Sequence, residues 1–150
     1  MIALEPLAHA EITLAEPLEL GTTGLGRRRI IPITGGRFTG ARLAGTVLPG
    51  GADWQIVLAD GTALLEARYT LRTDEGALVL VQNRGVRHGP PEVLARLARG
   101  EDPDPSLYYM RTTPVFETAA PQLAWLNRIV CVGTGRRRRA SVELDFYEVK

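Results

Sequence analysis

Polar and apolar residues alternate with a period of two along much of the chain. In Glu66-Ala67-Arg68-Tyr69-Thr70-Leu71, the side chains of Ala67, Tyr69 and Leu71 lie opposite those of Glu66, Arg68 and Thr70. Short runs of this kind, rich in β-branched residues, recur between turn signals and predict a mostly β chain. Asp60-Gly61 is the clearest hairpin signal. Its residues suit a type I′ turn, and the flanks Trp54 to Leu58 and Thr62 to Leu71 are expected to pair as neighbours. Asp74-Glu75-Gly76 predicts a second tight turn, leading into residues 77–83. Gly133-Thr134-Gly135 is expected to join a strand ending at Val132 to a last strand over 140–149. Residues 125–132 read as a strand with Trp125, Asn127, Ile129 and Cys131 on one face.

Consecutive hairpins without long helices favour an antiparallel meander, and closing it removes exposed edges. The expected fold is therefore all-β: one domain over residues 1–150, an antiparallel β-barrel of about eight or more strands. One segment breaks the pattern. Pro91 suits a first helical turn, Glu92 suits its positive end and Gly100 a C′ position, so a short helix is expected near residues 91–99. Val93, Leu94, Leu97 and Ala98 form its apolar stripe. The insert 84–107 is expected to lie across one end of the barrel, as a lid over a pocket or as a plug.

Composition narrows the class. A chain of 150 residues with 45% hydrophobic and 23% charged residues can bury a core without staples. Its formal net charge of +1 gives no global reason to expect nucleic acid or an acidic membrane as partner. The lone Cys131 excludes an intrachain disulfide and fits a reducing compartment. The first residues lack a basic region ahead of an apolar run, and no apolar run approaches the roughly 20 residues that span a bilayer. A cytoplasmic protein, associating as a two-fold dimer by base rate, is the expectation.

Two glycine-studded stretches, 32–54 and 108–127, place charged and aromatic residues among strand ends and turns, where a barrel keeps the residues of its mouth and interior. Asp53 and Glu117 are the candidate catalytic carboxylates, with Arg68 and Arg111 as cationic partners. Apolar surroundings raise a carboxylate pKa toward the range useful for general acid–base work. An arginine fork can hold a carboxylate or enolate oxygen, with Tyr69 or Asn127 donating further hydrogen bonds. Trp54 and Trp125 would supply flat apolar walls of a ligand site. The bland alternative is that these ion pairs only tie loops to strands.

Other chemistry is less well supported. His9 and His88 are isolated, so no metal site is expected. Cys131 sits in an apolar run and reads as a core residue. Ser106 and Ser141 lack the nucleophile elbow of hydrolases, and the Gly21–Gly26 run lacks the context of a dinucleotide site, so no cofactor is expected. Two basic clusters, Arg27–Arg29 and Arg136–Arg139, suggest acidic cross-strand partners before nucleic acid. Parity places Arg136 and Arg138 with Val142, Leu144 and Phe146, and Arg137 and Arg139 with Glu143 and Asp145. Arg28 or Arg29 at a barrel mouth would steer an anionic small molecule.

The runs GGRFTGARLAGTVLPGGADWQ, DGTALLEARYTL, DEGALVLVQNRGVR, MRTTPVFET and AWLNRIVCVGTG, in this order, resemble the bacterial and fungal family DUF3237, also called UPF0311. The resemblance runs from about Gly24 to Val149, and LPGGADW with FET…WLNR is its most specific part. It implies a small all-β barrel and hands down no general activity. The chain departs from the family pattern at Ala119, where glycine is common, and the helical segment is variable. Three classes stay open. The first is a cofactor-independent acid–base isomerase, cyclase or lactone-processing enzyme. The second is a barrel that holds a small anionic or carbonyl-containing organic molecule without turning it over. The third is a homo-oligomeric interaction protein.

Overall fold

Ten strands and one α-helix make up the computed structural model, which describes residues 1–150. The strands are β1 (Leu4–Leu14), β2 (Leu18–Thr23), β3 (Gly26–Thr39), β4 (Gly45–Val47), β5 (Gly51–Val57), β6 (Ala63–Thr73), β7 (Leu78–His88), β8 (Tyr109–Glu117), β9 (Cys131–Arg137) and β10 (Ser141–Val149). The helix α1 covers Pro91–Ala98, and two 3₁₀ segments cover Pro105–Leu107 and Pro121–Arg128. Every pairing is antiparallel, and β1 pairs with both β10 and β3, so the sheet closes on itself. The barrel has eight staves because two of them are interrupted. Leu14 opposite Ile33 and Leu18 opposite Ile30 follow one another along one edge of β3, so β2 continues the line of β1. On the other edge, β4 and β5 do the same.

The turns at Asp60-Gly61 and Asp74-Glu75-Gly76 follow local chemistry, with one correction. Leu58 to Gly61 forms the expected hairpin, but only Gly61 has a positive φ, of 89°. A type I′ turn needs positive φ at both central residues, and Asp60 instead accepts a hydrogen bond from the Thr62 N–H at 2.9 Å. Asp74-Glu75-Gly76 closes in the same way, with Gly76 at φ 92°.

Gly133 and Gly135 lie inside β9, and the turn falls later, between Arg137 and Ser141. The reason is interior packing. A Cβ on Gly133 would meet Thr112 Oγ1 at 2.6 Å and the Phe146 ring at 2.8 Å, and one on Gly135 would meet the Met110 sulfur at 2.7 Å. These glycines give space to larger neighbours. The segment read as a strand from Trp125 is 3₁₀ helix up to Arg128; its Leu126 is buried in the main core, and β9 begins only at Cys131.

The main core fills one part of the barrel around Phe38, Phe116 and Phe146, with Tyr69, Leu71, Val79 and Val81. A second cluster of Ala63, Leu65, Tyr108 and Met110 takes Val93 from α1, with Leu97 packed against it. The helix forms where expected, with Pro91 in its first turn and Gly100 at φ 79° behind it. The β strand before it runs on to His88, so the insert is shorter than 84–107. Arg136 grips Asp102 through two hydrogen bonds of 3.1 and 2.9 Å and fastens the chain beyond the helix to β9. No helix is long and apolar enough to cross a membrane.

Closure is tight where β1 meets β3. Gly36 has φ 139°, and a Cβ there would lie 2.3 Å from the Glu11 carbonyl oxygen. Gly36→Ala is expected to cost roughly 1–3 kcal/mol, since neither strand can retreat without breaking the seam. A denaturant titration checks this.

Candidate functional site

Between the two clusters the barrel keeps a cavity of about 50 Å³, room for a few waters or one small organic molecule. Ten of its 16 lining residues are hydrophobic, counting Tyr69, and the other six join the Tyr69 hydroxyl in one polar group on neighbouring strands. Asp53 and Gln55 come from β5, Tyr69 from β6, Asn83 and Arg87 from β7, Thr112 from β8 and Arg137 from β9. Ile12, Leu14, Ile31, Ile33, Val142 and Leu144 supply much of the apolar wall. Every one of these positions is explained by alternation along its strand.

Asp53 sits where the ladder between β5 and β6 opens. Asp53 pairs with Ala67 and Ile56 with Leu64, but Trp54 and Gln55 have no partner on β6. The Glu66 N–H therefore donates to the Asp53 carboxylate at 2.8 Å, and the Trp54 carbonyl accepts from the Arg28 guanidinium at 2.8 Å. Gln55, 1% exposed, donates to Asp53 at 3.2 Å and accepts from Arg29 at 3.0 Å. A guanidinium can only donate, so Arg29 turns the Gln55 oxygen toward itself and the Gln55 amide hydrogens toward Asp53. Arg29 is in turn held by Glu19 at 2.9 Å. Burial raises the Asp53 pKa above the usual carboxylate range; the two hydrogen bonds and the charges of Arg87 and Arg137 pull it only part of the way back.

The cations of this site are unlike those on the surface. Burial, and then repulsion by Arg87 and Arg29, lowers the Arg137 pKa to about 10, which leaves it charged at neutral pH. The Arg87 pKa falls for the same two reasons, burial first and Arg29 second. Arg137 donates to the Ser141 carbonyl at 3.1 Å, and its backbone N–H donates to the Tyr108 hydroxyl at 2.9 Å. Four buried polar atoms of the lining have no hydrogen-bond partner: Tyr69 Oη, Asn83 Oδ1, Arg87 Nε and Thr112 Oγ1. Burial pushes the Tyr69 phenol far up, so it stays a protonated donor.

Residues 2–149 match the family described as "Protein of unknown function (DUF3237)". The chain belongs to the DUF3237 family. It is 46% identical over 129 residues to a UPF0311 protein of Rhodopseudomonas palustris, spanning 86% of this chain and 84% of that one. A crystal structure of a β-barrel-like protein from Acinetobacter baumannii covers 100% of this chain and 97% of its own, with a TM-score of 0.89 and 50% identity. An enzyme from Penicillium herquei shares the fold at a TM-score of 0.74 and 22% identity, covering 99% of this chain and 95% of that one.

In this DUF3237 barrel, Asp53 and Tyr69 are the two expected site residues that line the cavity. Trp54, Arg68, Arg111 and Glu117 point outward. Strict alternation on β8 puts Met110, Thr112, Pro114 and Phe116 inside, and so Arg111 and Glu117 outside. Arg111 donates to the Met110 carbonyl at 2.9 Å and lies 5.2 Å above the Tyr109 ring. Neither Asp53 nor Glu117 forms an ion pair with Arg68 or Arg111; Asp53 accepts from Gln55 and the Glu66 N–H instead. Trp125 packs on the main core under Arg42, 4.2 Å from its ring centre. Asn127 clamps Thr118, accepting from its N–H and donating to its carbonyl, both at 2.9 Å. Asn127→Ala is expected to cost about 1 kcal/mol of stability and to leave ligand affinity unchanged; a melting curve and a binding titration check both.

Sequence reading missed Gln55, Asn83, Arg87, Thr112 and Arg137. Gln55 shares parity with Asp53, and Asn83 and Arg87 share parity with Val79 and Val81, so that signal was readable. Arg137 was not. It pairs with Val142 and faces inward, opposite to the count that put it with Glu143. The turn at residues 138–140 resets the parity. The remaining basic residues are largely accounted for by neighbours: Arg138 reaches Glu143 at 3.2 Å, and Arg27 and Arg29 share Glu19. His9 pairs with the exposed Asp145, and His88 stacks on Tyr109. Cys131 is buried, and that burial pushes its thiol up to about 11.

Proposed function

We propose that the barrel interior holds a small organic molecule, and that Asp53 moves a proton on it without a cofactor. One observation carries the reading. Four buried polar atoms without partners line the same cavity as a carboxylate whose pKa burial has raised. Each unmade hydrogen bond costs about 1–3 kcal/mol, and such atoms are rare in folded proteins. Four of them converging on one void favours a site completed by another molecule.

The chemistry that suits these groups is proton transfer beside a carbonyl. Asp53 takes the C–H proton, and the bonding electrons pass to the carbonyl oxygen, where the Tyr69 phenol or a guanidinium can donate to it. Return of the proton to another atom gives an isomer. Where the molecule carries an internal hydroxyl, Asp53 takes the O–H proton instead. The oxygen adds to the carbonyl carbon, and the C=O π pair moves to the carbonyl oxygen. Return of the proton there gives a cyclic hemiketal; from an ester, loss of the alkoxide with that proton gives a lactone. The Penicillium enzyme supports only the capacity of the architecture to carry catalysis.

The test is deuterium exchange. The protein is incubated in D₂O with small ketones and lactones, and loss of the C–H signal is followed by NMR beside a buffer control. Thermal melts with the same compounds report binding. Exchange above the control is expected for at least one compound. A thermal shift without exchange would reduce the reading to a binding barrel. Neither effect from any compound would remove it.

A further inference from the structure

We infer that the molecule taken by this cavity is a small organic monoanion, gripped by Arg87 and Arg137 through a carboxylate or enolate oxygen. The inference rests on the interior being a ligand site and names the ligand's charge.

The charges around the cavity do not balance. Arg29, Arg87 and Arg137 stand against Asp53, and Glu19 outside answers Arg29. That leaves two guanidiniums against one carboxylate, so the site lacks one negative charge. On the surface the chain pairs its arginines freely: Arg37 with Asp74 at 2.7 Å, Arg42 with Glu148 at 2.6 Å, Arg99 with Glu101 at 2.7 Å. Arg87 and Arg137 are drawn into the barrel, where water cannot screen them well, and neither has an ion-pair partner. A surface arginine without a partner is solvated. A buried one is costly to keep, which is why such charges are normally paired.

The donors are also free in the right place. Arg87 Nε is buried with no acceptor, and Arg137 gives one N–H to the Ser141 carbonyl while its other nitrogens have no partner. The two residues end inward rows on β7 and β9, the strands on either side of β8, with Tyr108 and Met110 between them. Guanidiniums are planar donor forks that match a carboxylate better than any neutral group. On β1 and β3, Ile12, Leu14 and Ile33 offer nothing polar, so the other end of the ligand is apolar. A void of about 50 Å³ limits it to a small molecule.

Matched pairs of probes test this: butanoate against butanamide, and benzoate against benzamide, titrated calorimetrically into the wild-type protein at low ionic strength. The carboxylate is expected to bind at least about tenfold more tightly than its amide, and added sodium chloride should weaken only the carboxylate. Arg87→Gln and Arg137→Gln should each lower carboxylate affinity by about tenfold or more and leave the amide unchanged. Without ligand, both variants are expected to melt no lower than wild type, because each removes a buried charge that has no carboxylate partner. Equal binding of acid and amide would overturn the monoanion while leaving the ligand site standing. The wild-type comparison decides this even if a variant misfolds. Failure of every probe, charged or neutral, would overturn both.

Discussion

Asp53→Asn is expected to lower the rate of proton exchange by about 10²- to 10⁴-fold while the barrel stays folded. The asparagine oxygen can still accept from the Glu66 N–H, which meets the carboxylate at 2.8 Å. It cannot act as a base. Its amide nitrogen would face the Gln55 amide, which Arg29 holds with its hydrogens toward position 53. That donor–donor contact costs about 1 kcal/mol, and removal of a desolvated charge offsets it. Stability is therefore expected to stay within about 1 kcal/mol of wild type near neutral pH.

The pH dependence has a definite sign. The folded pKa of Asp53 is raised, so its contribution to stability is present below the unfolded carboxylate value of about 3.9 and is lost as pH rises through the folded value. Wild type should lose stability relative to Asp53→Asn across that interval. Activity should run the other way, since the base must be ionised to accept a proton. Exchange rates and paired melts from pH 4 to 8 read both. A variant that keeps the wild-type rate would take Asp53 out of the mechanism.

Phe146→Ala is expected to destabilise the protein by about 3–5 kcal/mol. Phe146 is 1% exposed, with its ring centroid 5.6 Å from Phe38 and 6.3 Å from Phe116. Its loss leaves a void bordered by β9, where Gly133 has no side chain to fill it. For a chain of 150 residues the melting temperature should fall by roughly 10 °C. Phe146 does not line the cavity, so affinity for small probes at low temperature should persist. A loss of stability under 1 kcal/mol would mean that the three rings are not the centre of the core.

The fold was legible because its signals are local. Asp60-Gly61 and Asp74-Glu75-Gly76 turn where they stand, and Pro91 and Gly100 bracket α1. The turn type at Asp60 and the ends of the insert needed correction, as did the expected turn at Gly133–Gly135 and the expected strand from Trp125. The glycines at 133 and 135 misled because their role is steric: Thr112, Phe146 and Met110 occupy their space, and all three are distant in sequence from those glycines. The stretch from Trp125 reads as a strand by alternation, but it is 3₁₀ helix up to Arg128, and packing of Leu126 into the core accompanies that form.

Alternation along the chain determined which residues share a face, as for Ala67, Tyr69 and Leu71, and hairpin chemistry determined which strands are neighbours. Neither says which face is inside. Burial decides that, through the closure of β1 against both β3 and β10. Closure put Thr112 rather than Arg111 in the cavity, left Glu117 outside, and brought Asp53, Arg87 and Arg137 to one void from strands far apart in sequence. Face-sharing is a property of two dihedral angles per residue, readable locally. Inwardness depends on where every other strand lies, so only the tertiary structure could settle it.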